Sequence, residues 1–180
     1  MGRKGAVRII LAAMLGALLP DLSLYLMAGV SLFVLNIPPQ IVFDQLYFSD
    51  TWQTVFAIDN SVFVWGTLLG LAIWRRSDWG IALCGAALVH IGLDFPLHHD
   101  DGRAHFRPLT GWVFESPVSY WDRDQGAGWV APLEAALAMA AAVILWRAYP
   151  RWWMGLTTLC LLGMELWVVR QWLFFFTDST

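Results

Sequence analysis

The chain has 180 residues, 58% of them hydrophobic and only 14% charged, with a formal net charge of −3 and a mean hydropathy of +0.57. Soluble domains carry about 25% charged residues, so this composition excludes an ordinary soluble globule. No basic patch occurs beyond the flanks of the apolar runs, which gives no reason to expect a nucleic-acid partner.

Five apolar segments follow in order. The first runs from about Ala6 to Asn36, interrupted by Pro20-Asp21. Arg3-Lys4 ahead of it imitates a signal peptide, but no small-x-small cleavage site follows, so the segment is expected to stay as a first helix. The second runs from about Asn60 to Trp74, the third from Trp79 to Phe95, the fourth from Val130 to Trp146 and the fifth from Trp152 to Phe176. Their lengths bracket the ~20 residues that span hydrocarbon. The expected fold is therefore all-α, a polytopic membrane helical bundle of about five transmembrane segments, forming one integral membrane domain over 1–180.

Two connections stand out. In 37–59, Ile41, Val42, Phe43, Leu46, Tyr47 and Trp52 alternate with Asp44, Gln45 and Asp50, which predicts one or two short amphipathic helices at the interface. The 96–129 stretch mixes Gly, Pro, aromatics and charges, and an ordered outer loop or lid is expected there. Gly66 and Gly70 form a GxxxG, and the fourth segment is rich in alanine (Ala131, Ala135, Ala136, Ala138, Ala140 to Ala142); both predict close helix approach. Cys84 and Cys160 lie inside apolar runs without ligand spacing, so neither a disulfide nor a thiolate metal site is expected.

Charge sets the orientation. Arg3, Lys4 and Arg8, then Arg75 and Arg76, then Arg147 and Arg151 fall on one side, whereas 37–59 has no Lys or Arg. The positive-inside rule puts the amino terminus in the cytoplasm and the carboxyl terminus outside, in a bacterial inner membrane. Arg103, Arg107 and Arg123 in the outer loop count against this, although five acids share that loop. Of the twelve tryptophans, Trp74, Trp79, Trp146, Trp152 and Trp153 flank the arginines, while Trp52, Trp112, Trp121, Trp129 and Trp172 lie near the opposite ends. That is the distribution of interfacial aromatic belts.

Against this apolar background the ionisable groups call for a functional reading. Residues 90–101 hold three of the four histidines and three carboxylates. His90 and Asp94, four residues apart, share a helix face and can hold one cation between them. Beyond Pro96, which ends or kinks the helix, either His98 with Asp101 or His99 with Asp100 continues the cluster. Asp21 sits mid-segment, Asp59 opens the second segment, Glu134 lies in the fourth and Glu165 and Arg170 in the fifth. All five segments thus offer polar groups to one cavity open to the outside.

Leu19-Pro20-Asp21, followed by His90-x-x-x-Asp94 and a proline, resembles the bacterial membrane-bound metal-dependent hydrolases, the LexA-regulated inner-membrane hydrolase-like family. Asp21, His90 and Asp94 match its acidic and histidine motifs. Ser23 stands where the family has a second acid, and Asp59-Asn60-Ser61 where it has Thr-His-Ser. The resemblance spans roughly residues 10 to 110.

The expectation that follows is a membrane-embedded hydrolase of an ester or phosphoester, with a lipid-linked substrate. Asp21, His90 and Asp94, with Asp59 or with His98 and His99, would hold a divalent metal such as zinc. Glu134 or Glu165 would be the general base, and Arg170 would neutralise phosphoryl charge. The other reading is a non-catalytic integral membrane subunit, its polar cluster structural and its aromatic outer loop docking a protein partner or a second copy. Membrane lipids are the surroundings in both.

Overall fold

The structure is a computed structural model that describes residues 3–120 and 122–170, and every regular element among them is helical. Helix α1 (Arg3–Leu18) tightens into a 3-10 turn at Leu19–Asp21, because Pro20 has no N–H to extend the α-helical ladder. The chain resumes as α2 (Leu22–Gly29), widens into a π-type turn over Val30–Val34, and ends at Asn36 in the left-handed region, φ 52°. The interruption expected at Pro20-Asp21 is therefore a local change of pitch inside one apolar helix.

The connection predicted to be amphipathic does hold two short helices. The first, α3 (Pro39–Ile41), runs on through a wide turn to Leu46, and the second, α4 (Asp50–Asp59), is started by Ser49, whose Oγ accepts from Trp52 N. One boundary moves. The second predicted segment opened at Asn60, but α4 and α5 (Val62–Trp74) together make one 25-residue apolar stretch from Asp50 to Trp74, broken only at Asn60-Ser61. Ser61 caps α5 by accepting from Phe63 N and Val64 N. Arg76 closes α5 at φ 53°, with Ser77 N donating to Ala72 O, and Ser77 Oγ then caps α6 (Asp78–Asp94). Pro96 ends α6 in a 3-10 turn, Phe95–Leu97. Farther on come α7 (Ala127–Ala148), entered through Gly126 at φ 91°, and α8 (Trp152–Arg170).

The chain divides into two compact units. The first comprises residues up to Pro96 with Asp100–Glu115, and the second Leu97–His99 with residues from Ser116 on. The predicted outer loop is thus shared between them. In the first unit α6 packs against α1 and α5, and α2 against α4. The α1–α6 crossing is so close at Gly16 that a Cβ there would overlap the Leu83 carbonyl. Cβ atoms at Gly66 and Gly70 would meet nothing within 4 Å among the described residues, so the pair brings no described helix of this chain close; a second copy is the other partner such a pair can serve. The alanine expectation holds in part, since Ala131 and Ala135 are buried with Val169 between α7 and α8.

Four helical stretches are long and apolar enough to cross a membrane: Gly5–Val34, Asp50–Trp74, Asp78–Leu97 and Ala127–Ala148. The apolar part of α8, Trp152–Met164, is shorter. Only 17 to 28% of the most apolar window of each long stretch is buried, so the apolar side chains face outward. Helices apolar on all sides need a nonpolar exterior. Trp74, Trp79, Trp112, Trp129, Trp146 and Trp152 are all exposed. Trp121 and Trp172 lie outside the described residues.

Candidate functional site

The first unit gathers the polar residues that the sequence singles out. The Leu19–Asp21 turn packs against α4 and α6, which brings Asp21 to His90. Asp21 Oδ2 lies 3.5 Å from His90 Nε2, both side chains mostly buried. Nε2 itself is fully buried without a hydrogen-bond partner among the described residues. Asp94 follows one turn later on α6. The charges of Asp21, Asp94, Asp101 and Arg103 all act on the hydroxyl of Tyr47.

Asn60 organises this region. It is completely buried, its Nδ2 donates to Pro20 O at 2.7 Å, and its own carbonyl meets His105 Nδ1 at 3.0 Å. Ser61 Oγ donates to Arg107 O at 2.6 Å, and Val62 N donates to His105 O. Residues 59–62 therefore tie the Asp21 turn to the 103–107 segment. Phe95 stacks on Phe114 at 4.8 Å and packs beside His105. The part of the 96–129 connection that belongs to this unit packs on Phe95 at the end of α6 through His105, Phe106 and Phe114.

Arg103 is the residue that sequence reasoning missed. Counted there as a loop charge, it is 3% exposed, with its guanidinium carbon 4.2 Å from the Phe56 ring centre and 5.1 Å from that of Tyr47. Two of its nitrogens, Nε and Nη1, are buried without a hydrogen-bond partner among the described residues. Tyr47 donates to the Asp101 carbonyl at 3.3 Å, which helps to fold the loop inward. Burial pushes the Tyr47 hydroxyl up to about 12, against the opposing charge of Arg103. At neutral pH it is a proton donor, not a phenolate.

Asp59, in the first unit, faces Ser23. His98 and His99 belong to the second unit. There His98 packs edge-on against Tyr120 at 5.1 Å, and His99 Nδ1 meets Ser116 O at 2.6 Å. Glu134 and Arg170 also belong to the second unit, each exposed on its helix. The side chain of Glu165 lies outside the described residues.

Whether these donors suit a metal is decided at His90 and Asp21. Ligands bound at about 2.0–2.2 Å in a tetrahedral shell stand roughly 3.4 Å apart. The observed 3.5 Å, with Nε2 committed to no hydrogen bond among the described residues, fits one edge of such a shell. Among the described residues no group of three His, Cys, Asp or Glu side chains is assembled to hold an ion. Asp21 and His90 form a two-residue edge, with Asp94 the next carboxylate along α6.

No protein-family model matches the chain, and neither a curated protein nor a solved structure does.

Proposed function

We propose that the chain is a multi-pass protein of the bacterial inner membrane that hydrolyses an ester or phosphoester, lipid-linked, at the outer side of the membrane. In this reading α8 adds a fifth crossing to the four long apolar stretches, and the amino terminus is cytoplasmic. The observation that carries the proposal is the Asp21–His90 pair. A carboxylate and an imidazole stand 3.5 Å apart, and the facing ring nitrogen is buried without a hydrogen bond among the described residues. Unpaired polar groups within apolar helices cost several kcal/mol, in the range of about 2–7, and a catalytic or ligating task is the reason to keep them.

Asp21 and His90 would hold a divalent metal such as zinc, which when bound lowers the pKa of water and polarises a phosphoryl or acyl oxygen. Asp94, one turn on along α6, would be a further ligand or would take a proton from the attacking water. Tyr47, protonated at neutral pH, donates to the loop carbonyl of Asp101 and holds that loop at the site.

A second reading has its own support. Asn60, Ser61 and His105 are committed to structural hydrogen bonds, as in a non-catalytic membrane subunit that binds a partner. Elemental analysis of the detergent-purified chain separates the two. About one divalent ion per chain is expected, lost in His90→Ala, with esterase or phosphoesterase activity falling at least ~10²-fold while the variant still inserts. A wild-type protein without metal, or a His90→Ala variant with full metal and activity, overturns the hydrolase.

A further inference from the structure

The environment of Arg103 is built and not incidental. The residue sits on a segment fastened by Asn60, Ser61 and Val62, and its guanidinium is held against the rings of Phe56 and Tyr47. Ring contacts of this kind attract the cation but accept none of its N–H hydrogen bonds. Nε and Nη1 are buried and have no acceptor among the described residues. Burying donors of a permanent cation without acceptors is costly, so an acceptor that comes with a ligand is the economical explanation. Carboxylates lie close by: Asp21, Asp94 and Asp101 share the surroundings of Tyr47 with Arg103, and Asp59 also feels its charge. These carboxylates repel a free anion, so a cation with unused donors is what it needs here, and Arg103 supplies both.

We propose that Arg103 is the anion-recognising residue of this site, and that its uncommitted N–H groups receive the oxygens of a phosphoryl group, making the substrate a phosphoester and not a carboxylic ester. The inference rests on the hydrolase reading for the word substrate, but not for the binding of phosphate. It transfers to Arg103, in the same unit as Asp21 and His90, the role that the sequence suggested for Arg170.

The test is phosphate binding by the full chain, followed by 31P NMR. One arm titrates inorganic phosphate into detergent-solubilised protein. The other uses nanodiscs of phosphatidylcholine with and without phosphatidic acid. Saturable binding is expected in at least one arm; binding of inorganic phosphate assigns a free phosphoryl group, and binding confined to phosphatidic acid assigns a lipid headgroup. Arg103→Gln should weaken it about tenfold or more, the loss expected for hydrogen bonds to a charged group. Should Arg103→Gln not fold, Arg103→Lys, which keeps the charge but loses the planar fork, must still bind more weakly than wild type. Absence of binding in both arms, or binding unchanged in the folded variants, overturns the inference and makes Arg103 a counter-charge to its carboxylates. Phosphate bound by a protein that hydrolyses neither esters nor phosphoesters refutes the hydrolase alone. Hydrolysis without phosphate binding refutes the present inference alone.

Discussion

Asn60 shows how one side chain can set the geometry of a site that it does not join. Its amide reaches Pro20 O across forty residues of sequence, and its carbonyl holds the His105 ring. Removing the amide in Asn60→Ala leaves the Pro20 carbonyl without this donor in a buried place, at a cost of about 1–3 kcal/mol. Asn60→Asp is expected to cost more, because a carboxylate there would face the same carbonyl oxygen. Thermal unfolding in detergent, followed by tryptophan fluorescence, should rank wild type above Asn60→Ala and that above Asn60→Asp. An Asn60→Ala protein as stable as wild type would show that the Asp21 turn needs no such anchor. At this scale the sequence exposed Asp21, His90 and Asp94, because a carboxylate or imidazole inside an apolar run is conspicuous. It hid Arg103, because a charge between Gly102 and Ala104 in a polar loop looks solvated. Only the fold reveals that aromatic rings from 47 and 56 cover it.

Helix-scale packing turns on a glycine that carries no motif. Gly16 lets α1 approach the backbone of α6 at Leu83, whereas Gly66 and Gly70 face open space. A methyl group at Gly16 has to displace backbone, so Gly16→Ala should destabilise by about 1–3 kcal/mol, the usual range for overpacking. Gly70→Ala should be neutral or stabilising by about 0.5–1 kcal/mol, since it relieves the entropic penalty of glycine in a helix. The same unfolding measurement checks both, and a reversal of the two signs would mean that α1 does not cross α6 at Gly16. The apolar segments were legible because hydropathy reports helix length directly. Their contacts were not, because a GxxxG states only that two backbones are able to approach. The break at Asn60-Ser61 was legible only as a segment start: Asp59, Asn60 and Ser61 read as a polar opening, yet α4 continues the apolar stretch on their other side.

For the whole molecule, the burial of Arg103 bears on how the chain lies in a bilayer. The positive-inside rule counts solvated charges close to the ends of apolar helices. Arg103 is 3% exposed beside carboxylates, so it no longer weighs against an outer location for its loop; Arg107 still does, being exposed. The cluster at Arg75 and Arg76, on the turn between α5 and α6, then stands against a loop with one fewer free cation. The orientation we propose puts the α5–α6 turn in the cytoplasm and residues 100–115 outside. Single cysteines in a Cys84→Ala, Cys160→Ala background would read this directly. Asp78→Cys marks the turn and Thr110→Cys the loop; both positions are exposed, and neither removes an arginine. A membrane-impermeant maleimide added to intact spheroplasts should label Thr110→Cys at once and Asp78→Cys only after permeabilisation. The opposite pattern would invert the chain and place the Asp21–His90–Arg103 site at the cytoplasmic leaflet. Its substrate would then have to be drawn from the inner pool of lipids, and the charge argument would have failed on Arg107.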